Sequence, residues 1–275
     1  MDPVRTFWRV AAAAAVTVVL AAAVQPAQAA RRITLPPVHA RVDYQLGGGY
    51  TPPSGVTVVT RDMSEKPARG TYGICYVNAF QTQGADARWW LSKHRTLVLR
   101  GAGGKPVHDP GWPDEMLLDT STRAKRVALT AIVGAWFARC AAAGYRAVEP
   151  DNLDSWTRSG GRLTLRENAL YAAALVARAH ALGLAIAQKN DTDMLALHSL
   201  TKFDFAVSEE CQVYSECSQY QRVYGRHVIE IEYSDNGGLR GFRAACAARG
   251  SRISIVYRDR DLVPRGTPGY VYAHC

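Results

Sequence analysis

Glu149 and Asp151 flank Pro150 in the run Tyr145-Arg-Ala-Val-Glu-Pro-Asp-Asn-Leu-Asp154. Side chains alternate along a strand, so these two carboxylates share one face. Acids gathered at a strand end are costly unless their charge is used. One carboxyl can protonate a leaving oxygen while another attacks an anomeric carbon or activates water, which is the chemistry of glycoside hydrolysis. A second acidic run, Phe205-Ala-Val-Ser-Glu-Glu-Cys211, offers the partner. Glu209 and Glu210 face opposite ways, so one enters a site and the other pairs with a cation outside it. Asp154 suits the capping of a following turn.

The elements that must position these acids recur along the chain. Apolar runs end in polar residues at Val42–Leu46, Val56–Asp62, Tyr72–Asn78, Ala147–Asn152, Leu184–Asn190, Phe203–Glu209, Val228–Tyr233 and Ile253–Arg258. Helical patterns lie between most of them. Ser121–Ala143 ends at Gly144, a C′ glycine. Thr164-Leu-Arg-Glu167 is a capping-box pattern opening a helix that stops at Gly183. Asp193–Leu200 and Leu239–Arg249 read as two more helices. The long connection 79–146 reads as a helix, a strand or loop near Leu97–Arg100, then the long helix, with Trp112 in a Gly/Pro-rich stretch. Eight strands alternating with helices predict a (β/α)₈ TIM barrel. A doubly wound open sheet is the rival, but no G-x-G-x-x-G or P-loop follows any strand.

In such a barrel function sits at the C-terminal ends of the strands. Those ends carry Asp43, Tyr76, Asn78, Glu149, Asp151, Asn152, Lys189, Glu209, Glu230, Glu232 and Tyr233. None of the seven histidines falls there or clusters elsewhere. That argues against a His-rich zinc hydrolase and against Ser-His-Asp catalysis. No cofactor or metal is expected.

Arg5 and Arg9, the apolar run Val10–Val24 and the small residues Ala27-Gln-Ala29 form a secretory signal peptide, with cleavage expected after Ala29. Residues 30–275 then form one domain, secreted and extracellular, with no membrane anchor. The six cysteines should be paired in that compartment. Cys211–Cys217 is favoured by proximity, Cys246–Cys275 would staple the last helix, and Cys75–Cys140 remains. The formal net charge is +9, but the arginines are dispersed and not interleaved with aromatics, so nucleic acid is not an expected partner.

Asp43-Tyr-Gln-Leu-Gly-Gly48, Ile74-Cys-Tyr76, Val148-Glu-Pro-Asp-Asn152, Phe205-Ala-Val-Ser-Glu-Glu-Cys211 and Glu230-Ile-Glu-Tyr233 together resemble glycoside hydrolase family 114 over nearly all of the mature chain. The resemblance implies a TIM barrel with endo-α-1,4-polygalactosaminidase activity and a galactosamine-containing polysaccharide as partner of a monomeric enzyme. It implies Asp151 and Glu209 as the catalytic acids. The family commonly has Asn where this chain has Ser208. Glu209 is expected to be the proton donor, its pKa raised by adjacent carboxylates, with Asp151 ionised as nucleophile or base. Asp43, Tyr76, Glu149, Asn152, Lys189, Glu230, Glu232 and Tyr233 are expected to bind substrate or shape the site, Glu149 from a buried or salt-bridged position. Tyr44 is expected to pack. A non-catalytic carbohydrate-binding barrel is the alternative, which would tolerate loss of either acid.

Overall fold

The computed structural model describes Met1 and residues 32–275. The signal peptide and its cleavage site therefore lie outside the described residues, Met1 apart.

All eight expected strands are present. They are β1 (Val42–Gln45), β2 (Val58–Asp62), β3 (Tyr72–Asn78), β4 (Ala147–Asp151), β5 (Ala185–Lys189), β6 (Phe205–Glu209), β7 (Val228–Tyr233) and β8 (Ser254–Arg258). Each pairs parallel with the next in sequence order. That order excludes the doubly wound sheet, whose strand order reverses at a switch point. A short ninth strand, β9 (Tyr272–His274), adds antiparallel to β8 and has no counterpart in the sequence reading.

Around the barrel lie α1 (Ala87–Lys93), α2 (Arg123–Ala143), α3 (Leu165–Ala181), α4 (His198–Thr201), α5 (Cys217–Tyr224) and α6 (Gly238–Arg249). Gly144 closes α2 in the left-handed region at φ 100°, a conformation that costs an L side chain more than glycine. Thr164 and Glu167 form the expected reciprocal cap on α3. The stretch 193–200 folds as a 3₁₀ turn at Thr192–Leu197 followed by α4. α5 was not foreseen. By length and apolarity α2 could cross a membrane, whereas from the sequence no stretch after the leader is expected to be apolar enough to do so. Here its Leu129, Val133, Phe137 and Cys140 are buried in the layer between helices and barrel.

Strand alternation divides the core in two. Val42, Tyr44, Ile74, Ala147, Ala187, Phe205, Val207, Ile229 and Ile231 fill the barrel interior. Cys75, Val77, Val148, Ile186, Ala206, Val228 and Ile255 face the helices. The apolar interior is the floor on which the polar strand ends stand. The β8–β1 seam is bridged by side chains. Arg258 bonds Asp43 Oδ1 at 3.1 Å and the Tyr44 carbonyl, Ser254 Oγ accepts from Ala40 N at 2.9 Å, and Tyr272 Oη donates to Val42 O at 3.2 Å.

The three expected disulfides are all present: Cys75–Cys140, Cys211–Cys217 and Cys246–Cys275. The first ties β3 to α2, the second spans the segment after β6, and the third holds the strand β9 region against α6.

Candidate active site

The chain leaves the sheet abruptly after Asp151, Lys189 and Glu209. The next residues, Asn152, Asn190 and Glu210, have φ of 64°, 50° and 58°. Asparagine tolerates this left-handed conformation better than most residues, which accounts for two of the three. Glu210 is held there by Arg260, which donates to both its oxygens at 3.2 and 2.6 Å. Glu210 thus has its expected cation, but Arg260 lines the cleft and does not lie outside it. Because the strands break off together, three charged side chains on the inward face converge at one level. Pairing of β4 with β5 stops at Val148↔Ile186, and Pro150 has no N–H with which to prolong it.

Lys189 stands at the centre. Its Nζ lies 3.3 Å from Asp151 Oδ2, 3.2 Å from Glu209 Oε2 and 3.5 Å from Glu149 Oε1, and donates to Tyr44 Oη at 3.2 Å. Only 2% of the lysine side chain is exposed. Burial alone would lower its pKa, but Asp151, Glu209 and Glu149 outweigh burial and raise it well above its ordinary value. It therefore stays charged.

Asp151 accepts from Tyr76 Oη at 2.7 Å and from Asn152 N at 2.8 Å. Glu209 accepts from Tyr233 Oη at 2.5 Å and Asn190 Nδ2 at 2.9 Å, and its own N–H is fixed by Asn190 Oδ1 at 2.8 Å. Tyr76 and Tyr233 are raised well above ordinary tyrosine, by burial first and then by the neighbouring carboxylates, so both remain hydroxyl donors. Arg260 stacks 4.1 Å over the Tyr233 ring and fixes its position.

Glu149 lies fully buried beneath this pair, accepting from Tyr44 Oη at 2.5 Å. Burial pushes it up to about 7, opposed by Lys189 and Tyr44. Tyr44, expected to pack, thus does so and also carries a proton into the site. Asn152 points its amide at Asn78 Oδ1, 2.9 Å away, beside the cleft.

Asp43, Glu230 and Glu232 are not brought to the mouth. They occupy the opposite face of their strands from Tyr44, Ile231 and Tyr233. Asp43 is buried with Arg258, Gln45 and Tyr50. Glu230 makes a two-pronged pair with Arg249, both contacts 2.5 Å, behind the wall of β7. Glu232 accepts from Gln212 N at 3.0 Å in the same place. The cations of Asp43 and Glu230 come from elsewhere in the sequence, so alternation alone could not reveal that these two acids were already paired. Ser208 also lies on the outward face, buried, so the departure from Asn at that position lies behind the wall and not against the cleft.

The expectation that adjacent carboxylates raise Glu209 is overturned. Burial does push it upward, but Lys189, Tyr233 and Asn190 together prevail and leave it lowered. The free cleft thus holds Glu209 ionised.

Above this pair opens a cleft of about 760 Å³. Seven carboxylates line it, those of Asp62, Asp109, Glu115, Asp151, Asp154, Glu209 and Asp261, against three cations, Arg158, Lys189 and Arg260. Asp109, Trp112 and Glu115 come from the long connection after β3 and were missed by the strand-end reading. The Gly/Pro-rich stretch before Pro113 was their one visible signal.

A family model described as glycoside-hydrolase family GH114 matches residues 22–275. Among solved structures, Ega3 of Aspergillus fumigatus in complex with galactosamine is similar at 21% identity and a TM-score of 0.70, over 90% of this chain and 100% of that one. The glycoside hydrolase domain of PelA from Pseudomonas aeruginosa is similar at 17% identity and a TM-score of 0.57, over 82% and 97%. Curated protein sequences give no match.

Proposed function

The chain belongs to glycoside-hydrolase family GH114, and from that premise we propose that it is a secreted enzyme cutting α-1,4-linked galactosamine polymers with Asp151 and Glu209. The observation that carries the reading is the shared ammonium of Lys189, 3.3 and 3.2 Å from the two carboxylates at the floor of an acidic cleft. A buried cation between two acids holds them in one geometry and offsets their mutual repulsion.

An acidic cleft suits a chain bearing free amines, because field lines concentrate in a cleft with low-dielectric walls. The structural likeness to a protein solved with galactosamine is in keeping with that substrate class. The two contacts to Lys189 cap the separation of the nearest carboxylate oxygens at about 6.5 Å. That bound admits the retaining spacing of about 5–5.5 Å and only the lower edge of the inverting range of about 6.5–9.5 Å, so a retaining course is taken as part of the proposal. One carboxylate then attacks the anomeric carbon. The other protonates the departing oxygen and afterwards deprotonates water.

The test is oligosaccharide release from a galactosamine polymer, with the product anomer followed by NMR. Asp151→Asn and Glu209→Gln should each cut turnover by about a hundredfold or more with the fold intact. Parent-like turnover in either variant refutes the pair, and an inverted first product refutes retention.

A further inference from the structure

The longest connection leaves β3 and returns to the cleft as a hairpin whose tip is residues 109–115. Antiparallel bridges Gln81↔Leu117, Val98↔Leu118 and His108↔Met116 brace its stem. Asp109 fixes the tip. Its Oδ1 accepts from Gly111 N at 2.7 Å and Trp112 N at 3.2 Å. Its Oδ2 accepts from Gln81 Nε2 at 2.7 Å and pairs with Arg158 Nε, also at 2.7 Å. The tip is thus rigid although no barrel strand contributes to it.

Two of its side chains line the cleft. Trp112 is 64% exposed at the rim. Glu115 is half-buried and tethered by one oxygen only: Asn78 Nδ2 donates to Oε2 at 2.8 Å. Asn78 in turn accepts from the amide of Asn152, the residue after Asp151. Among the described residues nothing donates to the other oxygen of Glu115, and no ion pair reaches it. The nearby guanidinium of Arg158 is already engaged by Asp109 and Asp154. A carboxylate with one oxygen fixed and the other open to a cleft is arranged for a cation that arrives with the ligand.

We propose that Glu115 and Trp112 form an aminosugar subsite beside Asp151, in which Glu115 takes the ammonium group of a hexosamine unit and Trp112 packs against an apolar face of its ring. This rests on the polymer reading above and names the groups that read the amine. An N-acetyl group at the same place is neutral and bulkier, so the subsite selects deacetylated units. Burial raises Glu115 to about 7, opposed by the Asn78 bond and aided by Asp151 and Asp109. A bound ammonium reverses that effect and draws the carboxyl into its charged form.

The experiment uses α-1,4-galactosamine oligosaccharides in free-amine and N-acetylated forms. Glu115→Gln keeps an acceptor for Asn78 and removes the charge. KM for the free-amine form should rise about tenfold or more, the worth of one charge-assisted hydrogen bond. Its kcat should stay within about twofold, and KM for the acetylated form should be unchanged. Trp112→Ala should raise KM for both. Binding to Glu209→Gln, with and without Glu115→Gln, reads the same preference without turnover. If the parent cuts the polymer and Glu115→Gln changes neither KM nor the amine preference, the subsite is refuted and the hydrolytic reading survives. If no oligosaccharide is cut but the amine preference in binding disappears with Glu115→Gln, the subsite survives and the hydrolytic reading is refuted. If neither sugar binds, both are refuted.

Discussion

Arg258 at the end of β8 reaches Asp43 of β1 at 3.1 Å, with neither side chain exposed to solvent. This pair spans the seam that backbone bonds leave open, and it gives Asp43 a structural task. Removing one partner of a buried ion pair strands the other, at a cost of about 3–5 kcal/mol. Asp43→Ala should therefore lower stability by that order in denaturant melts. Turnover per folded molecule should change little. A large loss of turnover at unchanged stability would return Asp43 to the substrate.

Lys189→Met should abolish hydrolysis and also destabilise the fold. Three carboxylates would lose the cation they share, and Glu149 is entirely buried. Protonation relieves that repulsion. The stability gap between variant and parent should thus be wide at neutral pH and narrow under mildly acidic conditions. An equal gap at both, in parallel thermal melts, contradicts the shared-cation account.

Glu232 supplies a pH dependence of stability. Burial pushes it up to about 8, with the Gln212 N–H opposing and Glu230 adding. Arg249 faces the same pair and acts to lower it. A carboxyl raised on folding holds a proton that the unfolded chain releases. The stability this contributes is complete below its unfolded value, near 4.5, and is lost as pH rises through about 8. Glu149 acts in the same direction up to about 7. Glu232→Gln should flatten the decline of melting temperature between about pH 5 and 8. A variant slope as steep as the parent's would place the titration elsewhere.

Chemical rescue assigns the two catalytic roles. The nucleophile variant should recover turnover with added azide and yield a glycosyl azide of inverted configuration. The acid variant should keep activity on a substrate with a good leaving group, where protonation matters least. With Glu209 held ionised by Lys189, Tyr233 and Asn190, proton donation from it needs its pKa to rise once substrate is bound. A Glu209→Gln variant that gains nothing from a better leaving group would exclude Glu209 as the donor.

Much of the barrel was legible because its strands are short apolar runs with polar ends. Asp151, Lys189 and Glu209 were legible for the same reason, and Asn152 and Asn190 mark the turns that expose them. Parity on β1 and β7 was not legible. On β1 Asp43 precedes Tyr44, and on β7 Glu230 and Glu232 alternate with Ile231 and Tyr233, so either set could face inward. Arg258 and Arg249 decide the matter by burying Asp43 and Glu230 on the outer side. The hairpin tip escaped because its role follows from bridges such as Gln81↔Leu117, pairings that carry no periodic signal. The direction of the Glu209 shift escaped because it depends on three donors converging from two other strand ends.

The acidic cleft sits in a chain whose formal charge is +9 overall. A polyamine would thus meet repulsion at a distance and attraction only at the mouth. Salt screens the two unequally, because the Debye length shrinks from about 30 Å at 0.01 M to about 10 Å at 0.1 M, longer than any contact in the cleft. The first additions of salt lift the long-range barrier while the short-range pull persists. Further additions erode the pull as well. Capture of such a chain should accordingly pass through an optimum in ionic strength, where an enzyme with an acidic exterior would show only a decline.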